Sequence, residues 1–210
     1  MEKQEFITML KPPNLIYSWG GNVCMSLSEQ VKPILDKLNS PTKLELREAL
    51  LALDINLDEL KPLLQSAEDK PYYRKLLYQN DEIELLVMNW SGIECAPHNH
   101  GHSHGWIQVV NGTAINTVYE VKENQMPKEL FSQYQGEGRI FFAPKKGVHK
   151  MNSAEGTSLV TLHLYSPPIK EMMVYDLKTC AACIVSDDCG AWWPDHLRQR
   201  VREIQLKKRE

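Results

Sequence analysis

Pro97-His98-Asn99-His100-Gly101-His102-Ser103-His104-Gly105-Trp106-Ile107-Gln108-Val109-Val110-Asn111-Gly112 holds four of the chain's 7 histidines and the first clear strand-and-turn pattern. In an extended backbone residues i and i+2 face the same way, so His98 and His100 aim two imidazoles at one point from one strand edge. A metal requires such convergence, and neutral imidazole suits zinc, iron, copper and nickel alike. Downstream, Trp106 to Val110 reads as a strand and Asn111-Gly112 as a hairpin turn. The partner strand is expected at Thr113 to Val121, with Ile115, Thr117, Tyr119 and Val121 on one face.

Further strands are expected at Ile83 to Trp90, Arg139 to Ala143 and Ser158 to Tyr165, the last ended by Pro167-Pro168. Short strands separated by Gly, Pro and Asn turns indicate a mainly β barrel or sandwich. The first third is helical in pattern. Val31, Ile34, Leu35 and Leu38 mark one helix face between Ser28, its expected cap, and Leu38, with Pro33 tolerable only near a first turn. A second helix is expected after Ser40-Pro41-Thr42, carrying Leu44, Leu46, Leu50, Leu51 and Leu53 and ending near Asp54, and a third at Leu57 to Leu64, limited by Pro62. Pro194 to Glu210, with Arg198, Arg200, Arg202, Lys207, Lys208 and Arg209, reads as a basic exposed helix. The expected organisation is one domain: a helical segment over 1–70 packed on a β-barrel over 71–190, then a basic tail over 191–210.

Composition excludes several classes. With 210 residues, 27 acidic against 24 basic and a net charge of −3, the chain has no general electrostatic reason to bind nucleic acid or anionic lipid. No apolar run approaches the roughly 18 residues of a membrane span. The N-terminus lacks a secretory apolar core. Its 5 cysteines, an odd number unevenly spread, fit a reducing cytoplasm better than a disulfide scaffold.

The candidate third ligand is His149, in Pro144-Lys145-Lys146-Gly147-Val148-His149, where Gly147 permits a tight turn. Three neutral imidazoles leave a divalent ion with its full charge. Such a site favours anionic ligands and depresses the pKa of a coordinating thiol.

The spacing Gly92, His98-x-His100, Gly105, Gly112 resembles the first motif of the cupin superfamily, with Gly105 where a metal-binding Glu is usual. Gly138, Pro144, Gly147, His149 and Asn152 resemble the second, with one extra residue between Pro144 and Gly147 and a closer His149–Asn152 spacing. Together they imply a small antiparallel β-barrel, or jelly roll, with a metal inside.

Among three-histidine cupins, the chain resembles the cysteine dioxygenase family through the HxH segment, Gly147-Val148-His149, and Thr161-Leu162-His163-Leu164-Tyr165-Ser166-Pro167-Pro168. The resemblance implies Fe(II) on His98, His100 and His149, and a hydrogen-bonded row of Thr161, His163 and Tyr165 as the catalytic group beside it. It places the family's carboxylate-binding Arg at Tyr72-Tyr73-Arg74, making Arg74 and Tyr72 the substrate-binding candidates. An Arg there implies L-cysteine as the thiol, oxidised by dioxygen to cysteine sulfinic acid. The alternatives are 3-mercaptopropionate, cysteamine or another small thiol, or a metal-binding cupin without redox chemistry. Animal members carry a Cys at the position of Gly105, cross-linked to the active-site Tyr, so Tyr165 is expected to stay uncross-linked here. No nucleic-acid or membrane partner is expected, and a monomer is favoured.

The remaining motifs carry less. His102 and His104 read mainly as loop positions, with His104 also a candidate pocket residue. His196 reads as surface and Cys95 as buried packing. Cys180-Ala181-Ala182-Cys183 with Cys189 lacks the fourth ligand of a structural zinc and reads as free thiols.

Overall fold

The computed structural model describes residues 26–64, 73–90, 95–154, 158–187 and 189–207. Three helices open it: α1 (Leu27–Leu35), α2 (Lys43–Ala52) and α3 (Leu57–Leu60). Each begins with a reciprocal capping box, Ser26 with Glu29, Thr42 with Glu45 and Asn56 with Glu59, which satisfies two otherwise orphaned backbone donors per helix. The first helix therefore starts at Ser26 rather than Ser28, because only Ser26 has a Glu three residues on. Pro33 lies inside α1, near its end rather than in its first turn. Its missing N–H removes one bond from the last turn, and the helix stops two residues later. The third helix tightens into a single 3-10 turn, Lys61–Leu63, around Pro62. Among the described residues no helix is long and apolar enough to cross a membrane.

Eleven strands follow among the described residues: β1 (Tyr73–Gln79), β2 (Glu84–Asn89), β3 (His104–Asn111), β4 (Thr113–Glu120), β5 (Lys128–Gly136), β6 (Ile140–Ala143), β7 (Val148–Ser153), β8 (Val160–Ser166), β9 (Met173–Asp176), β10 (Ala181–Val185) and β11 (Arg200–Gln205). A five-stranded sheet runs β1-β2-β8-β3-β6, and two three-stranded sheets run β5-β4-β7 and β11-β10-β9. All pairings between these strands are antiparallel. The chain is mainly β, a jelly-roll arrangement with N-terminal helices packed on one face.

Strands β2 and β8 are buried on both sides, and their alternation divides two environments. Leu85, Val87, Val160, Leu162 and Leu164 pack outward against Val31, Leu35, Leu46, Leu50 and Leu60 of the helices. Fully burying each such side chain contributes roughly 1.5–3 kcal/mol. The opposite parity, Glu84, Leu86 and Met88 on β2 and Thr161, His163 and Tyr165 on β8, faces the interior between the sheets, in direct register: Met88 opposite Thr161, Leu86 opposite His163, Glu84 opposite Tyr165.

Asn111-Gly112 does not close a hairpin, since β3 pairs with β8 and β6 while β4 pairs with β5 and β7. The turn is a corner that hands the chain from one sheet to the other. Gly112 adopts a φ of +81°, and a Cβ there would collide with the Ser158 carbonyl oxygen. The Asn111 side chain secures the corner by donating to that same oxygen at 2.7 Å. Strand β4 is buried on both faces. Ala114 and Asn116 are buried as well as Thr117 and Tyr119, while Val121 is exposed beyond the strand.

The basic C-terminal stretch is not a helix. It forms a 3-10 turn, Asp195–Leu197, and the edge strand β11, which pairs with β10. Arg200 binds Asp195 (2.8 Å) and Glu203 (2.7 Å), and the charged side chains leave a poor template for further strand pairing on that edge.

Candidate metal centre and cavity

The segment Pro97–Asn99 stitches the two three-stranded sheets together. The His98 N–H donates to the His149 carbonyl (2.9 Å) and the His149 N–H to the His98 carbonyl (3.0 Å). On the other side Asn99 N–H donates to Met173 O (3.0 Å) and Tyr175 N–H to Pro97 O (2.8 Å). His98 is thus bridged to His149 of β7 and Val174 of β9. His100 follows two residues on, as the extended spacing requires.

Among the described residues His98, His100 and His149 form the one group able to hold a metal ion, their ligand atoms all within 4.8 Å of one another. All three are buried, at 4%, 2% and 8% relative exposure. The orientation of two rings is fixed by their far nitrogens. His98 Nδ1–H donates to the Ala96 carbonyl (2.9 Å) and His149 Nδ1–H to Asn116 Oδ1 (2.8 Å). Each Nε2 is then a bare lone pair. Those of His149 and His100 lie 3.4 Å apart, close to the spacing of about 3.3 Å for two donors at bonds of about 2.0 Å in a tetrahedral site. Burial holds His98 down to about 4 and keeps His100 and His149 well below the ordinary imidazole value, with the neighbouring imidazoles adding to the effect on the latter two. His100 lacks such a partner, its Nδ1 being buried and unbonded, so the protein sets two of the lone pairs and the third ring completes the group. The donor set fits a divalent transition metal.

Beside this group runs a hydrogen-bonded row. Trp90 Nε1–H donates to Thr161 Oγ1 at 2.7 Å, Thr161 lies 2.7 Å from His163 Nε2, and His163 Nδ1 lies 3.0 Å from the Tyr165 hydroxyl. Trp90 can only donate to Thr161, and a polarity in which Thr161 donates to His163 Nε2 and His163 Nδ1–H to Tyr165 pairs every group and leaves the Tyr165 proton for the cavity. The Tyr165 oxygen is 3.3 Å from His100 Nε2. Burial lowers His163 to about 3 and raises Tyr165 well above the ordinary phenol value, so His163 stays neutral and Tyr165 protonated. Gly105 lies directly opposite Tyr165 on β3. A Cβ there would overlap the Leu164 carbonyl and the Tyr165 ring, so no side chain fits without moving the strand.

These groups border a small cavity of about 20 Å³ whose remaining walls are largely apolar, with Leu86, Met88, Met151 and Met172 among them. Arg74 enters from β1. Its guanidinium lies 3.6 Å from Glu84 Oε2 and 5.7 Å from the Trp192 ring centre, and its Nε–H is buried without a hydrogen-bond partner. Glu84 is the unexpected neighbour. Its carboxylate is nearly buried and accepts the Ile169 N–H at 2.9 Å. Burial raises its pKa, while that N–H and Arg74 oppose the rise.

The structure brings His98, His100, His149, His163, Tyr165 and Arg74 to one cavity, with Thr161 hydrogen-bonded behind His163. Tyr72 lies outside the described residues, as do Gly92 and Cys24. His104 packs against Phe142 (6.2 Å between ring centres) and does not line the cavity, and His196 is exposed. Cys95 is buried and exchanges hydrogen bonds with the Met151 backbone, while Cys180, Cys183 and Cys189 are free thiols. Sequence reasoning missed Trp90, Asn116, Glu84 and Trp192. Glu84 carries a signal in hindsight, being the one charge between Ile83 and Trp90 in an otherwise apolar strand.

Comparison with known proteins agrees with this arrangement. The family model for cysteine dioxygenase type I matches residues 43–178. The chain belongs to that family. It is 25% identical to cysteine dioxygenase type 1 of Rattus norvegicus over 153 residues, covering 64% of this chain and 76% of the relative. It is 24% identical to the Homo sapiens protein over 145 residues, covering 60% and 72%. Among solved structures it is similar to a protein with a double-stranded β-helix domain from Klebsiella pneumoniae (TM-score 0.43, 14% identity, covering 56% of this chain and 94% of that one). It is also similar to a recombinant oxalate oxidase in complex with glycolate (TM-score 0.40, 10% identity, covering 49% and 54%). As a cysteine dioxygenase family member the chain is a cupin dioxygenase, acting on a small molecule and dioxygen, with three histidines placed to hold a metal.

Proposed function

We propose that this protein oxidises the thiol of L-cysteine with dioxygen to cysteine sulfinic acid, using Fe(II) held by His98, His100 and His149. The observation that carries the reading is the convergence of three buried imidazoles, their ligand atoms within 4.8 Å of one another, beside a hydrogen-bonded row that ends at the Tyr165 hydroxyl. Iron held by these three histidines would supply redox-active Lewis acidity toward a thiol. The reaction needs no further reductant: both oxygen atoms of dioxygen are added to sulfur, which is oxidised as dioxygen is reduced.

The chain's own residues bind and orient. Arg74, with its free Nε–H, clamps a carboxylate by charge-assisted hydrogen bonds. Tyr165 offers its proton to an electronegative atom in the cavity, and His163, held by Thr161 and in turn Trp90, keeps the hydroxyl aimed there. Leu86, Met88 and Met172 keep bulk water off the reacting sulfur. Tyr72 stays a substrate-binding candidate by the family resemblance.

The test is oxygen uptake by anaerobically iron-loaded protein on addition of L-cysteine, 3-mercaptopropionate or cysteamine, with iron content and sulfinate measured on the same sample. Stoichiometric uptake and sulfinate with cysteine support the reading. No uptake with any thiol at full iron occupancy would leave a metal-binding cupin without redox chemistry.

A further inference from the structure

We propose that Glu84 is a specificity-determining residue, a built-in carboxylate partner of Arg74 that makes the substrate end of the cavity nearly neutral and so discounts a substrate's own carboxylate. This deepens, and rests on, the reading of the cavity as a thiol site. Alternation along β2 puts Glu84 in the row of Leu86, Met88 and Trp90, all three of which line the cavity. Register sets it opposite Tyr165. Both its oxygens are engaged, Oε1 by the Ile169 N–H and Oε2 by Arg74, so the side chain is held in place. With 4% of its side chain exposed, it is not screened by solvent as a surface partner would be.

Two consequences follow for Arg74. Its guanidinium is pinned between Glu84 and the Trp192 ring, leaving the Nε edge for a ligand. Its positive charge is already opposed. An incoming carboxylate meets one cation and one anion rather than a lone cation, and the repulsion from Glu84 offsets part of the attraction. A thiol without a carboxylate gives up no such attraction and leaves Arg74 paired rather than orphaned. The selectivity for acid over non-acid thiols is therefore compressed.

The experiment compares wild type with Glu84→Gln. The Gln keeps an oxygen for Ile169 N–H and removes the charge. Anaerobic calorimetry on iron-loaded protein gives dissociation constants for L-cysteine, 3-mercaptopropionate and cysteamine, followed by turnover with each. The expected result is a roughly tenfold tightening for the two acids with cysteamine changed less than about twofold, since removing one nearby charge at protein effective dielectric is of that order. An unchanged acid-to-cysteamine ratio in folded Glu84→Gln overturns the proposal. If that variant does not fold, the wild type still decides. Binding of 3-mercaptopropionate and its neutral amide within about tenfold of one another supports the compression, and a preference for the acid of about a thousandfold or more refutes it. Failure of every thiol to be oxidised by wild type would defeat the dioxygenase reading instead, an outcome distinct from oxidation with an unaltered ratio.

Discussion

Asn116→Ala isolates the support of one ligand without touching any ligand. Asn116 Oδ1 accepts the His149 Nδ1–H at 2.8 Å, with both residues buried. The Ala variant leaves that N–H unsatisfied in a dry interior, a destabilisation of about 1–3 kcal/mol, and frees the ring to rotate or change tautomer. Loss of such an outer partner weakens metal binding by about 10–100-fold. Asn116→Asp keeps the acceptor and adds charge, so it should hold metal at least as tightly as wild type. The assay is competition for Fe(II) and Zn(II) against a chelator of known affinity, with circular dichroism confirming the fold. Metal affinity within twofold of wild type in folded Asn116→Ala would refute the argument that this bond fixes the lone pair.

Three further outcomes are expected. Thr161→Val preserves shape but leaves Trp90 Nε1–H and His163 Nε2 without their shared partner, so turnover should fall by about 10-fold or more while metal content stays at the wild-type level; unchanged turnover would show the row is structural only. The metal-free protein should lose stability as pH falls. His98 and His163, held to about 4 and about 3 in the folded chain, take up protons near 6.5 once unfolded, so each subtracts about 1.4 kcal/mol per pH unit from just below 6.5 down to about 4, and His163 continues a unit lower. A denaturation midpoint flat between pH 7 and 5 would contradict this. Gly105→Ala forces a Cβ onto the Leu164 carbonyl and the Tyr165 ring, an overpacking of about 1–3 kcal/mol that lowers Tm by about 2–4 °C per kcal/mol; an unaltered Tm would mean β3 yields freely there.

What could be read from the sequence was whatever depends on neighbours along the chain. His98 and His100, and Thr161, His163 and Tyr165, each owe their shared direction to strand parity alone, and the fold class to short strands between turn residues. Cross-strand register was not readable, and it is register that sets Glu84 opposite Tyr165 and Trp90 against Thr161. Asn116 carries no sequence signal because β4 is buried on both faces, and its role comes from the cross-strand neighbour His149. The corner at Gly112 carried a hairpin's residues, since both need a positive φ. The charges of the C-terminal stretch suit a helix surface as well as an edge strand, and only its pairing with β10 separates the two.

The two backbone hydrogen bonds between His98 and His149 make a ligand pair out of peptide groups rather than out of the ion they serve. An incoming metal then meets a gap whose width is already set, and its arrival need only settle His100. Amide exchange at His98 and His149 should accordingly be slow before any metal is added and change little afterwards, whereas a site assembled by its ion would show the reverse.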